Sequence, residues 1–195
     1  MDCSVINLKC RPKRLKRFVD YADREDIDYS IIEAIDGKEK GLVDVDRLYQ
    51  RKLKPGELGC YLSHYIALEK STKGQLLVFE DDVKIYKNFW KKIEKLMNHV
   101  PDDWGVVLLS CSKVWRRKYC NFLEDCNEFV SRVGGCVYGT HAYIIKKGAV
   151  EEMVRVKFPI DKPYDIKLSS LNVPVYLVNE ENYCGHGGFW SDTKC

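Results

Sequence analysis

The chain has 195 residues, of which 45% are hydrophobic and 31% charged, with a formal net charge of +3. That length and balance suit one globular domain large enough to bury a core without disulfides or a structural metal. The charge is too small to point to nucleic acid, no aromatic-basic motif of a known nucleic-acid module is present, and no apolar run approaches a membrane span.

Val5 to Leu8 reads as a first strand, followed from about Pro12 by an amphipathic helix with Leu15, Phe18, Val19 and Ala22 at helical spacing. Tyr29 to Ile35 reads as a second strand, stopped by the turn Asp36-Gly37. Strand, helix, strand predicts a parallel pair. Pro55-Gly56 opens a helix over Glu57 to Lys70, and Gln75 to Val83 holds a buried strand that ends in three carboxylates. Asn88 is placed to cap a helix carrying Phe89, Trp90, Ile93, Leu96, Met97 and Val100. Val106 to Leu109, Val137 to Lys146 and Val173 to Val178 read as further strands, and Gly148 to Val156 as a short helix. Residues 111 to 128, rich in Lys, Arg, Cys and aromatics, fit no template; residues 157 to 165 and the glycine-rich tail from Asn182 read as loops. The alternation argues for a single α/β domain.

Nine cysteines, an odd number, show no zinc spacing, and the N-terminus lacks the long apolar core of a signal peptide. Free thiols in a reducing cytosol are the simplest expectation, with a Cys120–Cys126 or Cys126–Cys136 bridge as the lesser alternative. Basic residues cluster over Arg11 to Arg17, Arg51 to Lys54 and Arg116 to Lys118. Such clusters meet anionic substrates or a membrane surface; taken singly, each is an ordinary solvated face.

The chemistry centres on Leu76-Leu77-Val78-Phe79-Glu80-Asp81-Asp82. An apolar run reads as a strand buried on both faces, and its end brings three mutually repelling carboxylates together. A divalent cation relieves that repulsion, and oxygen ligands suit Mg²⁺ or Mn²⁺; the plain alternative is a solvated acidic turn. Ligands in open α/β sheets sit beyond the carboxyl ends of the strands. Asn7, Lys9, Arg11 and Arg14 follow the first strand, Asp36 and Gly37 the second, and the acidic triplet the third. Arginines beside a metal-binding cluster suit a nucleoside diphosphate, with Asn7 or Asp36 reading base or ribose. Each also has a dull reading as a cap or turn residue. Ser63 and His64 are polar positions in an apolar helix, and His186 is a candidate ligand in the tail. A packed helical histidine and an exposed loop histidine are the respective alternatives.

Two stretches, Leu53-Lys54-Pro55-Gly56-Glu57-Leu58-Gly59-Cys60-Tyr61-Leu62-Ser63-His64 and Leu77 to Val83, resemble glycosyltransferase family 25. Ile6-Asn7-Leu8 with Arg11 and Arg14, Ala34 to Gly37, Tyr143 to Ile145 with Gly148-Ala149, Pro159-Ile160-Asp161 and Ser191-Asp192-Thr193 are similar to further family motifs in the same order. The resemblance implies an α/β, GT-A-type fold: a Rossmann-like nucleotide-sugar domain with a mixed central sheet. It also implies a single domain over residues 1–195, with a donor half to about residue 110 and an acceptor half beyond. It implies inverting transfer from a UDP-sugar, galactose before glucose, with Mn²⁺ or Mg²⁺, to a hydroxyl of a glycan, lipooligosaccharide or protein.

By that resemblance Asn7, Leu8, Arg11, Arg14, Asp36, Ser63, His64, Glu80 and Asp81 contact the donor. By the same resemblance Glu80 and Asp82 contact the metal, with His186, read from the tail, as the further candidate metal ligand. Asp161 is the first choice of base and Asp165 the second, although either could instead ligate the metal. Three features depart from the family. The usual Trp after Ser63-His64 is absent, the 111–128 insert is foreign, and the chain ends near the closing motif. The expectation is a cytoplasmic enzyme, with the cytosolic face of a membrane as a second placement and a membrane surface as a further, peripheral partner. A catalytically inactive nucleotide-sugar-binding domain of the same fold is the alternative.

Overall fold

The computed structural model describes residues 1–38, 53–71, 74–110 and 123–188. The Trp115 to Lys118 cluster, most of the 111–128 insert, Arg51-Lys52, Cys120 and the Ser191-Asp192-Thr193 motif lie outside them.

The first strand, β1 (Asp2–Asn7), leads into α1 (Pro12–Arg24), which has proline in its first turn. Then β2 (Ser30–Glu33) lies parallel to β1, with Ile6 opposite Ile32. The next helix, α2 (Pro55–Glu69), starts at Pro55, and Lys54 N–H donates to the Glu57 carboxylate (2.9 Å), which fixes its first turn. It delivers the chain to β3 (Gln75–Glu80), parallel to the other side of β1.

Three short elements follow: β4 (Val83–Ile85), α3 (Phe89–Met97) and β5 (Val106–Leu108). Asn88 stands at the start of α3 at φ 60 and makes no side-chain cap. The Phe89 N–H instead donates to Glu25 Oε2 (3.0 Å), a carboxylate brought in from the end of α1. Local sequence could not show that partner.

The second half supplies β6 (Leu123–Asp125), β7 (Val130–Val133), β8 (Ala142–Lys146), α4 (Lys147–Arg155), α5 (Tyr164–Ser169), β9 (Val175–Val178) and β10 (Cys184–His186). The eight-stranded sheet runs β2-β1-β3-β8-β5-β9-β7-β6, and β10 pairs with β4 in a separate ribbon. Thus β8, antiparallel to both neighbours, wedges between β3 and β5, and the sheet is mixed. The strand expected from Val137 is confined to Ala142–Lys146, and the loop expected over 157–165 ends in the first turn of α5.

Strand alternation sorts the core into two layers. Val5, Leu77 and Phe79 pack with Phe18 of α1 and Phe89, Ile93 and Leu96 of α3 on one face. Ile6, Leu76 and Val78 pack with Leu58 and Tyr61 of α2, Ala149 and Met153 of α4, and Tyr164 and Leu168 of α5 on the other. Because β3 is buried on both faces, its apolar run is continuous, and polarity appears only where the strand ends.

Candidate active site

The carboxyl ends of β1, β2 and β3 open into one cleft. Its lining includes Leu8, Arg11, Arg14, Asp36, Ser63, His64, Glu80, Asp81 and Asp82. These are eight of the nine donor-contact candidates together with Asp82; Asn7 sits just behind, bonded to Asp81. Cys10 and Cys60 also line the cleft, and neither was singled out by sequence.

The helix α2 comes close enough to build the cleft wall because position 59 is glycine. A Cβ there would lie 2.5 Å from the Ile35 carbonyl oxygen. Ser63 completes the seam: its Oγ accepts from Ile35 N–H (2.8 Å) and donates to the Gly59 carbonyl (2.5 Å). Both hydroxyl functions are thereby engaged in joining α2 to the end of β2. Asp36 Oδ1 accepts from Lys38 N–H (3.0 Å), which closes the turn at the cleft rim.

The three carboxylates have different surroundings. Glu80 Oε1 accepts from Thr140 Oγ1 (2.7 Å) and faces His64 Nε2 (3.3 Å). With that proton on Nε2, His64 Nδ1 accepts from the Tyr143 hydroxyl (3.1 Å), which is bonded to the Tyr164 hydroxyl (2.8 Å). The His64 ring also stacks on Tyr164 at 4.2 Å between centroids. Burial raises the Glu80 pKa, but the His64 bond, the electrostatic influence of the His141 and His64 rings and the Thr140 bond outweigh it and hold the group below the usual carboxylate range.

Asp81 is buried and accepts from Asn7 Nδ2 (2.6 Å) and Arg14 Nη1 (3.3 Å). Desolvation dominates, pushing its pKa up to about 6 against the lowering effects of Asn7 and Arg14. Asp82 is equally buried, yet its Oδ1 has no hydrogen-bond partner.

Two histidines converge on Asp82. The β3–β8 pairing sets Phe79 opposite Ala142, and Glu80 N–H donates to the His141 carbonyl (2.9 Å), which brings His141 beside the strand end. The β4–β10 pairing sets Val83 opposite His186, and Gly187 N–H donates to the Asp82 carbonyl (2.6 Å). His186 Nε2 lies 3.5 Å from Asp82 Oδ2, and Gly188 N–H donates to its Nδ1 (3.0 Å). That pattern puts the His186 ring proton on Nε2, toward the carboxylate. The bond to Asp82 raises the His186 pKa more than burial lowers it. One ligating atom each from Asp82, His141 and His186 lies within 4.8 Å of the others. Cys60, His64 and Glu80 form a second group by the same measure.

The two acids named as candidate bases are elsewhere. Asp161 Oδ1 pairs with Lys167 Nζ (3.2 Å) and does not line the cleft. Asp165 Oδ2 accepts from Gly139 N–H (3.0 Å) and Oδ1 from Ile166 N–H (2.8 Å), so it secures the turn leading to His141. Burial raises the Asp165 pKa against both amide bonds. Arg17, from the basic run after β1, turns inward and donates to the Gly187 carbonyl (2.5 Å). Among the described residues six cysteines are free thiols, including Cys126 and Cys136, and no helix is long and apolar enough to cross a membrane.

The model of glycosyltransferase family 25 (LPS biosynthesis protein) matches residues 1–168. The chain belongs to that family. Procollagen galactosyltransferase 2 of Homo sapiens is 25% identical over 235 residues, which cover 97% of this chain and 36% of that protein. A Bos taurus protein named probable inactive glycosyltransferase 25 family member 3 is 31% identical over 181 residues, 81% of this chain and 30% of that protein. The family 25 chain thus spans about a third of the length of these curated relatives.

Among solved structures, HddC from Yersinia pseudotuberculosis complexed with GMP-PN superposes with a TM-score of 0.54 at 13% identity, covering 100% of this chain and 97% of that one. TarS 1–349 of S. aureus gives 0.52 at 13% identity, covering 95% and 60%. At such identity the likeness is one of fold, and the fold of this family 25 chain is mixed α/β of the GT-A type.

Besides Cys10 and Cys60, His141 and Thr140 are site residues that sequence reasoning missed. The signal for His141 and Thr140 is positional: they immediately precede β8, and an antiparallel neighbour starts where β3 ends.

Proposed function

We propose that this chain transfers a hexose, galactose first and glucose second, from a UDP-sugar to a hydroxyl of a glycan, lipooligosaccharide or protein acceptor, with inversion. The observation that carries the reading is the cleft at the ends of three parallel strands. There Arg11 and Asp36 share the lining with an acidic triplet, of which Asp81 and Asp82 are buried and Asp82 keeps an unpartnered oxygen. Family membership supplies the reaction class.

The residues present fit a divalent cation, Mn²⁺ or Mg²⁺. An orphaned buried carboxylate oxygen with neighbouring imidazole and carboxylate groups is a donor set that such an ion satisfies. Asp82, with His186 and Glu80 nearby, would hold it, and when bound it supplies charge neutralisation for the leaving diphosphate. Arg11 is placed to meet diphosphate oxygens, and Asp36 and the apolar wall to seat the nucleoside. In the transfer the acceptor oxygen bonds to the anomeric carbon as the bond to the UDP oxygen breaks, and the acceptor proton passes to a carboxylate. The family resemblance offers Asp161 first and Asp165 second for that base; neither lines the donor cleft, so that role requires the acceptor to approach from their side. The cytosol, including the cytosolic face of a membrane, is the proposed location. Support for it is compositional: free thiols and a basic first helix.

The test is UDP release from a donor panel that includes UDP-galactose, UDP-glucose and a GDP-sugar control, with and without Mn²⁺. Mn²⁺-dependent release from one UDP-sugar is expected; release from none rejects the enzyme reading. The second reading, an inactive nucleotide-sugar-binding domain, is favoured by the relatives named as inactive. It predicts a thermal shift with UDP and Mn²⁺ but no turnover with any donor.

A further inference from the structure

Of the three carboxylates that end β3, two are already committed. Asp81 is shared by Asn7 and Arg14. Glu80 Oε1 is held by Thr140 and by a His64 that is itself locked through Tyr143 and Tyr164. Only Asp82 combines near-complete burial, at 4% exposure, with an oxygen that nothing in the described structure satisfies. A buried acceptor left unmade is costly, and a fold keeps one chiefly where a ligand completes it. Two imidazoles among the described residues come within ligating reach of that carboxylate. His141 arrives just before β8, set by the antiparallel register with β3 and the Glu80 N–H bond to its carbonyl, and His186 arrives on β10 through the ribbon with β4. Their ring centroids are 5.0 Å apart, nearly perpendicular, and the three ligating atoms lie within 4.8 Å of one another.

We infer that His141 is an unassigned metal ligand, and that Asp82, His141 and His186 form a one-carboxylate, two-imidazole site that selects Mn²⁺, Co²⁺ or Zn²⁺ against Mg²⁺. This rests on the metal-dependent reading above and sharpens it. Mg²⁺ prefers oxygen ligands and retained waters, whereas imidazole favours the later first-row ions. Two nitrogen donors therefore separate the ions in a way that an all-carboxylate strand end does not. Glu80 becomes a positioning residue: its backbone N–H binds the His141 carbonyl, and its side chain ties that strand end to α2 through His64. His186 ligates through Nε2 by exchanging its ring proton to Nδ1, which gives up the Gly188 contact.

The experiment titrates the chelator-treated full chain with Mn²⁺, Co²⁺ and Mg²⁺, with and without UDP. Calorimetry reads affinity, electron paramagnetic resonance reads free Mn²⁺, and visible absorption reads Co²⁺. Wild type is expected to bind Co²⁺ more tightly than Mn²⁺, and Mn²⁺ at least about tenfold more tightly than Mg²⁺. His141→Ala is expected to weaken Mn²⁺ by about tenfold or more and to change the Co²⁺ spectrum. His141→Asp is expected to narrow the gap between Mn²⁺ and Mg²⁺. His141→Gln replaces the alanine variant should that one fail to fold by circular dichroism. Mn²⁺ affinity indifferent to all three substitutions overturns the assignment of His141, and equal Mn²⁺ and Mg²⁺ affinities in wild type overturn the selectivity. A sulfur-to-cobalt band lost in Cys60→Ser moves the ion to the Cys60, His64 and Glu80 group and overturns the inference as well. No Mn²⁺ binding under either condition removes the metal-dependent reading itself.

Discussion

Asp81 and Asp82 are adjacent in sequence, similarly buried, and opposite in circumstance. Asp81 faces β1 and α1, where Asn7 and Arg14 occupy both its oxygens. Asp82 faces the β8 and β10 side, where two histidines approach but one oxygen is left over. The first side is a finished network that holds the cleft's shape without a ligand. The second is unfinished, and its partners come from distant strands rather than from the following helix. Stability and ligand demand are thus separated by a single peptide bond, and substitutions on the two sides should fail in different ways.

Asp82→Asn should have the largest functional effect. Removing the charge that fits the cation should lower Mn²⁺-dependent UDP release by ~10²–10³-fold, the range found when one preorganised electrostatic partner is lost. The fold should lose little stability, since Oδ1 of that buried carboxylate has no partner and asparagine keeps an acceptor oxygen for His186; a thermal melt beside the activity assay checks both. Arg14→Met should do the reverse. It strands Asp81 beside Asn7 alone, and breaking a buried ion pair costs about 3–5 kcal/mol. Urea unfolding should show that loss. If Arg14→Met instead left stability intact while removing UDP binding, Arg14 would belong to the donor and not to Asp81.

A third substitution tests the seam between the two sides. Gly187 lies against the Asp82 backbone so closely that a Cβ would fall 2.5 Å from the Asp82 carbonyl oxygen, and Arg17 clamps the same residue from α1. Gly187→Ala should displace His186 and reduce Mn²⁺ affinity by about tenfold, the lower end for a disturbed ligand shell. The main sheet should remain intact, because the β4–β10 ribbon lies outside it. Unchanged Mn²⁺ affinity in Gly187→Ala would show that His186 owes its place to something other than this contact.

The finished side was the legible one. A strand, an amphipathic helix and a parallel strand are written in local periodicity, and residues after their carboxyl ends fall into one cleft by the geometry of parallel sheets. The acidic triplet stood out because an apolar run buried on both faces stops there. The unfinished side was hard to read because antiparallel insertion carries no local mark. The expected strand from Val137 overran the true start of β8, so His141 was placed inside a strand instead of at its mouth. The β10 strand is only Cys184–His186 within a glycine-rich segment, too short to show alternation. The Glu25 cap of Phe89 and the Ser63 seam were illegible for the same reason: each joins residues far apart in the chain.

Ser63 offers the smallest and most discriminating effect. The family resemblance assigns it to the donor, whereas its hydroxyl is used twice inside the protein, by Ile35 N–H and the Gly59 carbonyl. Ser63→Ala leaves the Ile35 amide short of a partner at the back of the cleft, a loss of about 1–3 kcal/mol in stability. A joining role predicts that this loss comes with a modest rise in KM for the UDP-sugar and little change in kcat, because the wall loosens while the charged groups stay in place. A donor role predicts the opposite pairing: normal stability with weakened UDP binding. Ser63→Thr refines the choice. It keeps the hydroxyl for Ile35 but adds a methyl at a position only 1% exposed, so in the joining role it should cost stability through crowding while UDP affinity stays within about twofold.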